Sequence, residues 1–255
     1  MLRAERHGDV ALWTIARPQA KNALDQVTLE GLAEAVATAA GDRTLRAAIL
    51  TGEGGVFAAG GDLRELRGKD TVEDAERFAE TGTRLCRNIA SLGLPVIAAL
   101  SGVAFGGGAE LAVACDLRIA EASARISFKQ VRLGVTTAWG TLGDLVALVG
   151  QGAAMRLLLT AEEVSAPEAR SMGLVDATCA DGESGALALQ WAQEIARGAP
   201  EAVARMKELV RRASAPPADL TRLERASFVH TWTSPDHTEA VTAYFERRAP
   251  RWRPW

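Results

Sequence analysis

Through the first 120 residues, short apolar runs alternate with segments of helical periodicity, and this alternation is the strongest constraint on the fold. Val10–Ile15 (VALWTI) reads as a strand, and residues 29–40 then carry apolar side chains at helical spacing until Gly41 and Asp42 stop them. Residues 47–51 (AAILT) form a buried strand ended by 52–55 (GEGG). Residues 72–92 read as a long amphipathic helix closed by Gly93 and Pro95. Val96–Leu100 (VIAAL) is another buried strand, and residues 117–120 a further one. Strands that alternate with helices imply an α/β domain.

After about residue 199 the texture changes. Helices are expected at Pro200–Ala213, 219–230 and 235–248, with a break at 215–217 (APP). The chain therefore divides into a core, 1–198, and a helical C-terminal region, 199–255. Trp232, Tyr244, Phe245 and Trp252 are too many large apolar groups for a free tail, so they should pack on the core or on another subunit.

Composition narrows the partners. With 48% hydrophobic and 24% charged residues the balance is that of a globular protein. No run approaches the ~18 uninterrupted apolar residues of a membrane span. The first seven residues lack the apolar stretch of a secretory signal, so a cytoplasmic protein without a membrane partner is expected. Basic and acidic residues number 29 and 32, a net charge of −3, which argues against nucleic acid as the main partner. The cysteines (Cys86, Cys115 and Cys179) are odd in number and form no CxxC pair, so neither a disulfide framework nor a metal site is expected.

Three segments stand out. Residues 54–63 (GGVFAAGGDL) run from a strand end through a glycine turn into a helix. Residues 100–116 set Gly106, Gly107 and Gly108 between a buried strand and a helix that should begin near Ala109. Residues 124–134 (ARISFKQVRLG) lead into 135–140 (VTTAWG). A helix start exposes unpaired N–H groups and the positive end of a dipole, and glycines let a ligand approach that backbone. Gly60 and Gly61 offer a second set of bare N–H groups. Two such turns facing one another would hold a developing oxyanion.

These segments, together with residues 17–24 (RPQAKNAL) and 243–252 (AYFERRAPRW), resemble the enoyl-CoA hydratase/isomerase (crotonase) superfamily along essentially the whole chain. The resemblance implies a spiral of β-β-α turns with C-terminal helices that build trimers, often paired into hexamers. It assigns the oxyanion-hole N–H groups to Gly61 and Gly107, holding a thioester carbonyl as it gains enolate character. It places Asn22, Ala23, Phe57 and Ala59 along the coenzyme A loops, and Arg64 and Arg247 near its phosphates, Arg247 from a neighbouring subunit. No separate cofactor is implied, since coenzyme A is part of the acyl-CoA substrate.

Hydratases of this kind use two glutamates flanking a water molecule. Glu110 matches the first, whereas the second position, four residues before Gly134, holds Gln130. An amide has no proton to exchange at neutral pH. Lys129 and Arg132 beside it are not neutral-pH bases, and His7, His230 and His237 fall outside the motifs. Glu110 is thus expected to be the single acid/base. One carboxylate suits double-bond isomerisation, or decarboxylation of a malonyl-type thioester. Trp139 in 136–140 (TTAWG) resembles an alkylmalonyl-CoA decarboxylase branch. A non-catalytic acyl-CoA-binding protein is the third reading, favoured by Gln130 and opposed by Glu110.

Overall fold

The computed structural model describes residues 1–213 and 220–251. The expected break at 215–217 and Trp252 lie outside them. Six strands form the larger sheet: β1 (Leu2–His7), β2 (Val10–Ile15), β3 (Ala47–Gly52), β5 (Val96–Leu100), β7 (Leu117–Glu121) and β10 (Ala177–Cys179), side by side in that order. Only β1 and β2 run antiparallel within it. A smaller sheet holds β4 (Val56–Ala58), β6 (Val103–Phe105), β8 (Arg125–Ser127) and β9 (Val164–Ser165).

The ten helices among the described residues are α1 (Gln26–Gly41), α2 (Leu63–Leu66), α3 (Val72–Ser91), α4 (Gly107–Ala114), α5 (Leu142–Thr160), α6 (Ala166–Ser171), α7 (Ser184–Ala196), α8 (Pro200–Ala213), α9 (Leu220–Trp232) and α10 (Pro235–Glu246). Three times the chain runs one strand of the large sheet, one strand of the small sheet and then a helix. These turns are β3-β4-α3 (with α2 before α3), β5-β6-α4 and β7-β8-α5, the expected spiral of β-β-α units.

Local chemistry explains the helix starts. Asp25 accepts from the Thr28 N–H at the head of α1, and Thr71 accepts from the Asp74 N–H at the head of α3. Along α3 the buried residues Ala75, Ala79, Gly82, Leu85, Cys86 and Ile89 follow a helical period, so one stripe faces the core. Parallel strands are covered on both faces. Leu50, Ala98 and Trp13 enter the main core, whereas Ile49, Ile97 and Ile119 pack under Ala188 and Ala192 of α7.

The structure differs from the sequence expectations in two respects. First, α4 starts at Gly107 rather than near Ala109, because Gly106, at φ 51° and ψ −119°, already turns the chain into the helix. Second, α5, α6, α7 and the short strands had no expectation. Strands of two or three residues are too short to show a period, and β1 is an edge strand of mostly polar residues. Helix α5 is 19 residues long with mean hydropathy 1.4, and Asp144, Gln151 and Arg156 interrupt its apolar run, in line with the expectation of no uninterrupted apolar span. Gly150, at φ 77° and ψ 159°, breaks it into two shorter pieces.

Candidate active site

Gly61 pairs with Leu24 in a parallel bridge. The Leu24 N–H donates to the Gly60 carbonyl at 2.8 Å, and the Asp62 N–H donates to the Leu24 carbonyl at 3.2 Å. In that ladder the bonds are made by the residues flanking Gly61, so its own N–H points to the opposite side. Gly107 opens α4, and a first-turn N–H has no intrahelical acceptor. Gly106 is held by its N–H to the Ser127 carbonyl, 2.9 Å. The two turns lie close: a Cβ built on Gly60 would sit 3.5 Å from the Gly107 nitrogen. Both glycines line a cavity of about 980 Å³. A side chain at Gly107 is excluded from below, because its Cβ would come within 2.7 Å of the Trp139 ring.

Glu110, in the first turn of α4, is 2% exposed and lines the same cavity. Its Oε1 accepts from the Gln130 Nε2 at 2.7 Å, and its Oε2 accepts from the Trp139 N–H at 2.9 Å and the Thr141 hydroxyl at 3.2 Å. Burial, with the nearby Glu224 charge second, pushes its carboxyl up from 4.5 to about 8, against the pull of these hydrogen bonds. Gln130 stands on a 3-10 turn, Lys129–Leu133, closed by Gly134 in the left-handed region. Its Oε1 is buried with no hydrogen-bond partner. Its neighbours are engaged elsewhere: Lys129 pairs with Glu163 at 2.6 Å, and Arg132 donates to the Thr160 carbonyl. Burial drives the Cys115 thiol up to about 12, consistent with a core role.

The residues expected along the coenzyme A loops divide. Ala23, Ala59, Arg64 and Arg247 line the cavity. Asn22 and Phe57 do not, and both are completely buried. Asn22 pins the loop from within: its Oδ1 accepts from the Arg17 N–H, and its Nδ2 donates to the Glu53 and Val56 carbonyls. Phe57 belongs to the core. Both therefore shape the loop from behind its surface. Arg17, quoted only as part of a motif, is itself a wall residue, held by Asp62 at 3.0 Å and Asp25 at 3.1 Å.

The C-terminal helices close the cavity from the same chain. Phe78 of α3 stacks with Phe228 and Trp232 of α9, with ring centroids 6.1 and 5.6 Å away. The Trp232 Nε1 donates to the Lys69 carbonyl at 2.9 Å. Arg247, at the end of α10, lines the cavity of its own chain. His237 of α10 also lines the cavity, its ring tilted against Trp232 with centroids 4.8 Å apart and bonded through Nδ1 to the Leu133 carbonyl at 2.6 Å. A carbonyl only accepts, so Nδ1 carries the hydrogen and Nε2 is left as an acceptor. Burial lowers its pKa and keeps the ring neutral. Sequence reasoning set this histidine aside, for nothing in its spacing ties it to residues a hundred positions upstream.

The profile of the enoyl-CoA hydratase/isomerase family matches residues 5–254. A short-chain-enoyl-CoA hydratase of Clostridium acetobutylicum is 37% identical over 246 residues, 96% of this chain and 94% of that protein. A 2,3-dehydroadipyl-CoA hydratase of Escherichia coli is 32% identical, over 98% of this chain and 97% of that protein. Among solved structures, an enoyl-CoA hydratase from Mycobacterium avium subsp. paratuberculosis superposes with a TM-score of 0.88 at 28% identity, covering 99% of this chain and 98% of its own.

Proposed function

Since the chain belongs to the enoyl-CoA hydratase/isomerase family, we propose that it binds an acyl-CoA thioester and stabilises its enolate at Gly61 and Gly107, with Glu110 as the single proton carrier. The observation that supports this reading is the neighbourhood of Glu110. Of the carboxyls that line the cavity Glu110 is the buried one, it lies beside the two glycine turns, and the group 2.7 Å from it is an amide.

Double-bond isomerisation fits that inventory. Ionised Glu110 takes a proton from the α-carbon of a 3-enoyl thioester. The electron pair passes onto the carbonyl oxygen, held by the two N–H groups. Glu110 returns the proton to the γ-carbon as the double bond moves into conjugation. A carboxyl that titrates near neutrality is suited both to take and to return a proton. Gln130 donates to Glu110 and orients it without exchanging protons.

A second reading rests on the proton that Glu110 holds below about pH 8. In a malonyl-type thioester the bond to the carboxylate breaks, CO₂ leaves, and the pair generates the same enolate. Protonated Glu110 then protonates the α-carbon.

The test incubates the purified protein with 3-enoyl-CoAs, crotonyl-CoA and alkylmalonyl-CoAs and follows mass and ultraviolet absorbance. Appearance of the conjugated thioester without mass change supports isomerisation. Loss of CO₂ favours the second reading. Gain of water by crotonyl-CoA at a rate untouched by Glu110→Gln would overturn both.

A further inference from the structure

The site has a second buried carboxyl behind it. Glu224, on α9, is 5% exposed. It does not line the cavity, so it does not touch substrate. The Thr137 hydroxyl and the Gly140 N–H face its carboxyl and favour the ionised form, yet its Oε1 is buried with no hydrogen-bond partner. Leaving a buried carboxylate oxygen unpaired costs stability, so packing alone does not account for a glutamate here.

Its position does. The turn 137–141 lies between two carboxyls: Trp139 and Thr141 donate to Glu110, while Thr137 and Gly140 face Glu224. Resting on the reading of Glu110 as proton carrier, we propose that Glu224 is a positioning residue that braces this turn from the far side and sets a like charge behind Glu110, so that Glu110 keeps its proton. The other charged or titratable groups around Glu224 leave it without a partner cation among the described residues. On α5, Asp144 is also acidic and is itself drawn to Arg211 of α8. On α3, Glu80 pairs with Arg225 of α9, and Cys86 carries a thiol raised by burial. Glu224 therefore meets like charge and neutral dipoles. A charge on Glu224 raises the Glu110 carboxyl.

The test replaces Glu224 by glutamine, nearly the same size and uncharged. The infrared band of the protonated Glu110 carboxyl is followed against pH, as the difference from the same protein carrying Glu110→Gln. With Glu224 intact the band should disappear around pH 8. In Glu224→Gln it should disappear about half a pH unit or more lower. The pH profile of turnover should move in the same direction. Thr137→Val serves if Glu224→Gln does not fold, since loss of the facing hydroxyl makes Glu224 harder to ionise and shifts Glu110 the same way. An unmoved Glu110 band in the folded variant overturns the proposal. Full turnover by Glu110→Gln would sink the proton-carrier reading instead, and the infrared titration separates the two failures.

Discussion

The Gln130 amide nitrogen donates to Glu110 Oε1 at 2.7 Å, so the residue facing the cavity carboxyl is a hydrogen-bond donor rather than a second acid. The contact brings together residues 20 positions apart in sequence and defines which proton transfers the cavity supports. Hydration of an enoyl thioester needs one group to deprotonate water and a proton for the α-carbon. General acid–base help of this kind is worth ~10²–10⁴-fold.

Wild-type protein should accordingly hydrate crotonyl-CoA poorly while still binding it. Gln130→Glu should raise hydration measurably, and adding Glu110→Gln should abolish the gain. The assay is loss of absorbance of the conjugated thioester. Rapid hydration by the wild type would refute the argument.

Replacing Gly107 by proline removes the N–H proposed to hold the oxyanion. Turnover of any substrate the protein accepts should fall by ~10²–10³-fold, the usual scale for losing one such donor. Gly107→Ala keeps the N–H but places a Cβ 2.7 Å from Trp139, so it should lose stability as well as turnover. A folded Gly107→Pro with unaltered turnover would locate the donor elsewhere.

Glu110 also makes stability depend on pH in a defined direction. Its folded pKa, about 8, lies above the ordinary 4.5, so the folded state binds the proton more tightly. The contribution is fully present below about 4.5 and is lost as pH rises through about 8. Glu224 and Asp144, both raised chiefly by burial, act in the same sense. Urea midpoints measured between about pH 5 and about pH 8.5 should fall more steeply for wild type than for Glu110→Gln. Equal slopes would contradict this.

The aromatic contacts of the C-terminal helices should be energetically large. Trp232 is 3% exposed and contacts Phe78, Phe228 and His237. Trp232→Ala should cost about 3–5 kcal/mol, read as a lower thermal midpoint. A change under about 1 kcal/mol would mean that α9 contributes little to the fold.

Other apolar side chains remain uncovered. Met155 and Leu159 on α5, and Met206 and Leu209 on α8, are each more than half exposed. We expect these faces to be buried between copies, as a trimer or hexamer. Light scattering at micromolar concentration that gave a monomer would rule that out.

The sequence alone determined the strand–helix alternation, because Val96–Leu100 and residues 47–51 are apolar on both faces and only a covered parallel sheet accommodates them. It also determined the two glycine turns and Glu110, since a missing Cβ and a first-turn acid have local signatures. Gln130 was singled out only through the resemblance to the family, whose pattern sets the position four residues before Gly134. Contacts over long separations belong to the tertiary structure: His237 on Leu133, Trp232 on Phe78, and Glu224 behind the 137–141 turn. Asn22 and Phe57 show the limit from the other side, for a motif marks a loop but not which of its side chains turn inward. The physical reason is common to all of these. Periodicity and turn chemistry act over a few residues, whereas the Glu110 pKa is set by burial in the folded chain and by the charge of Glu224 on the distant α9.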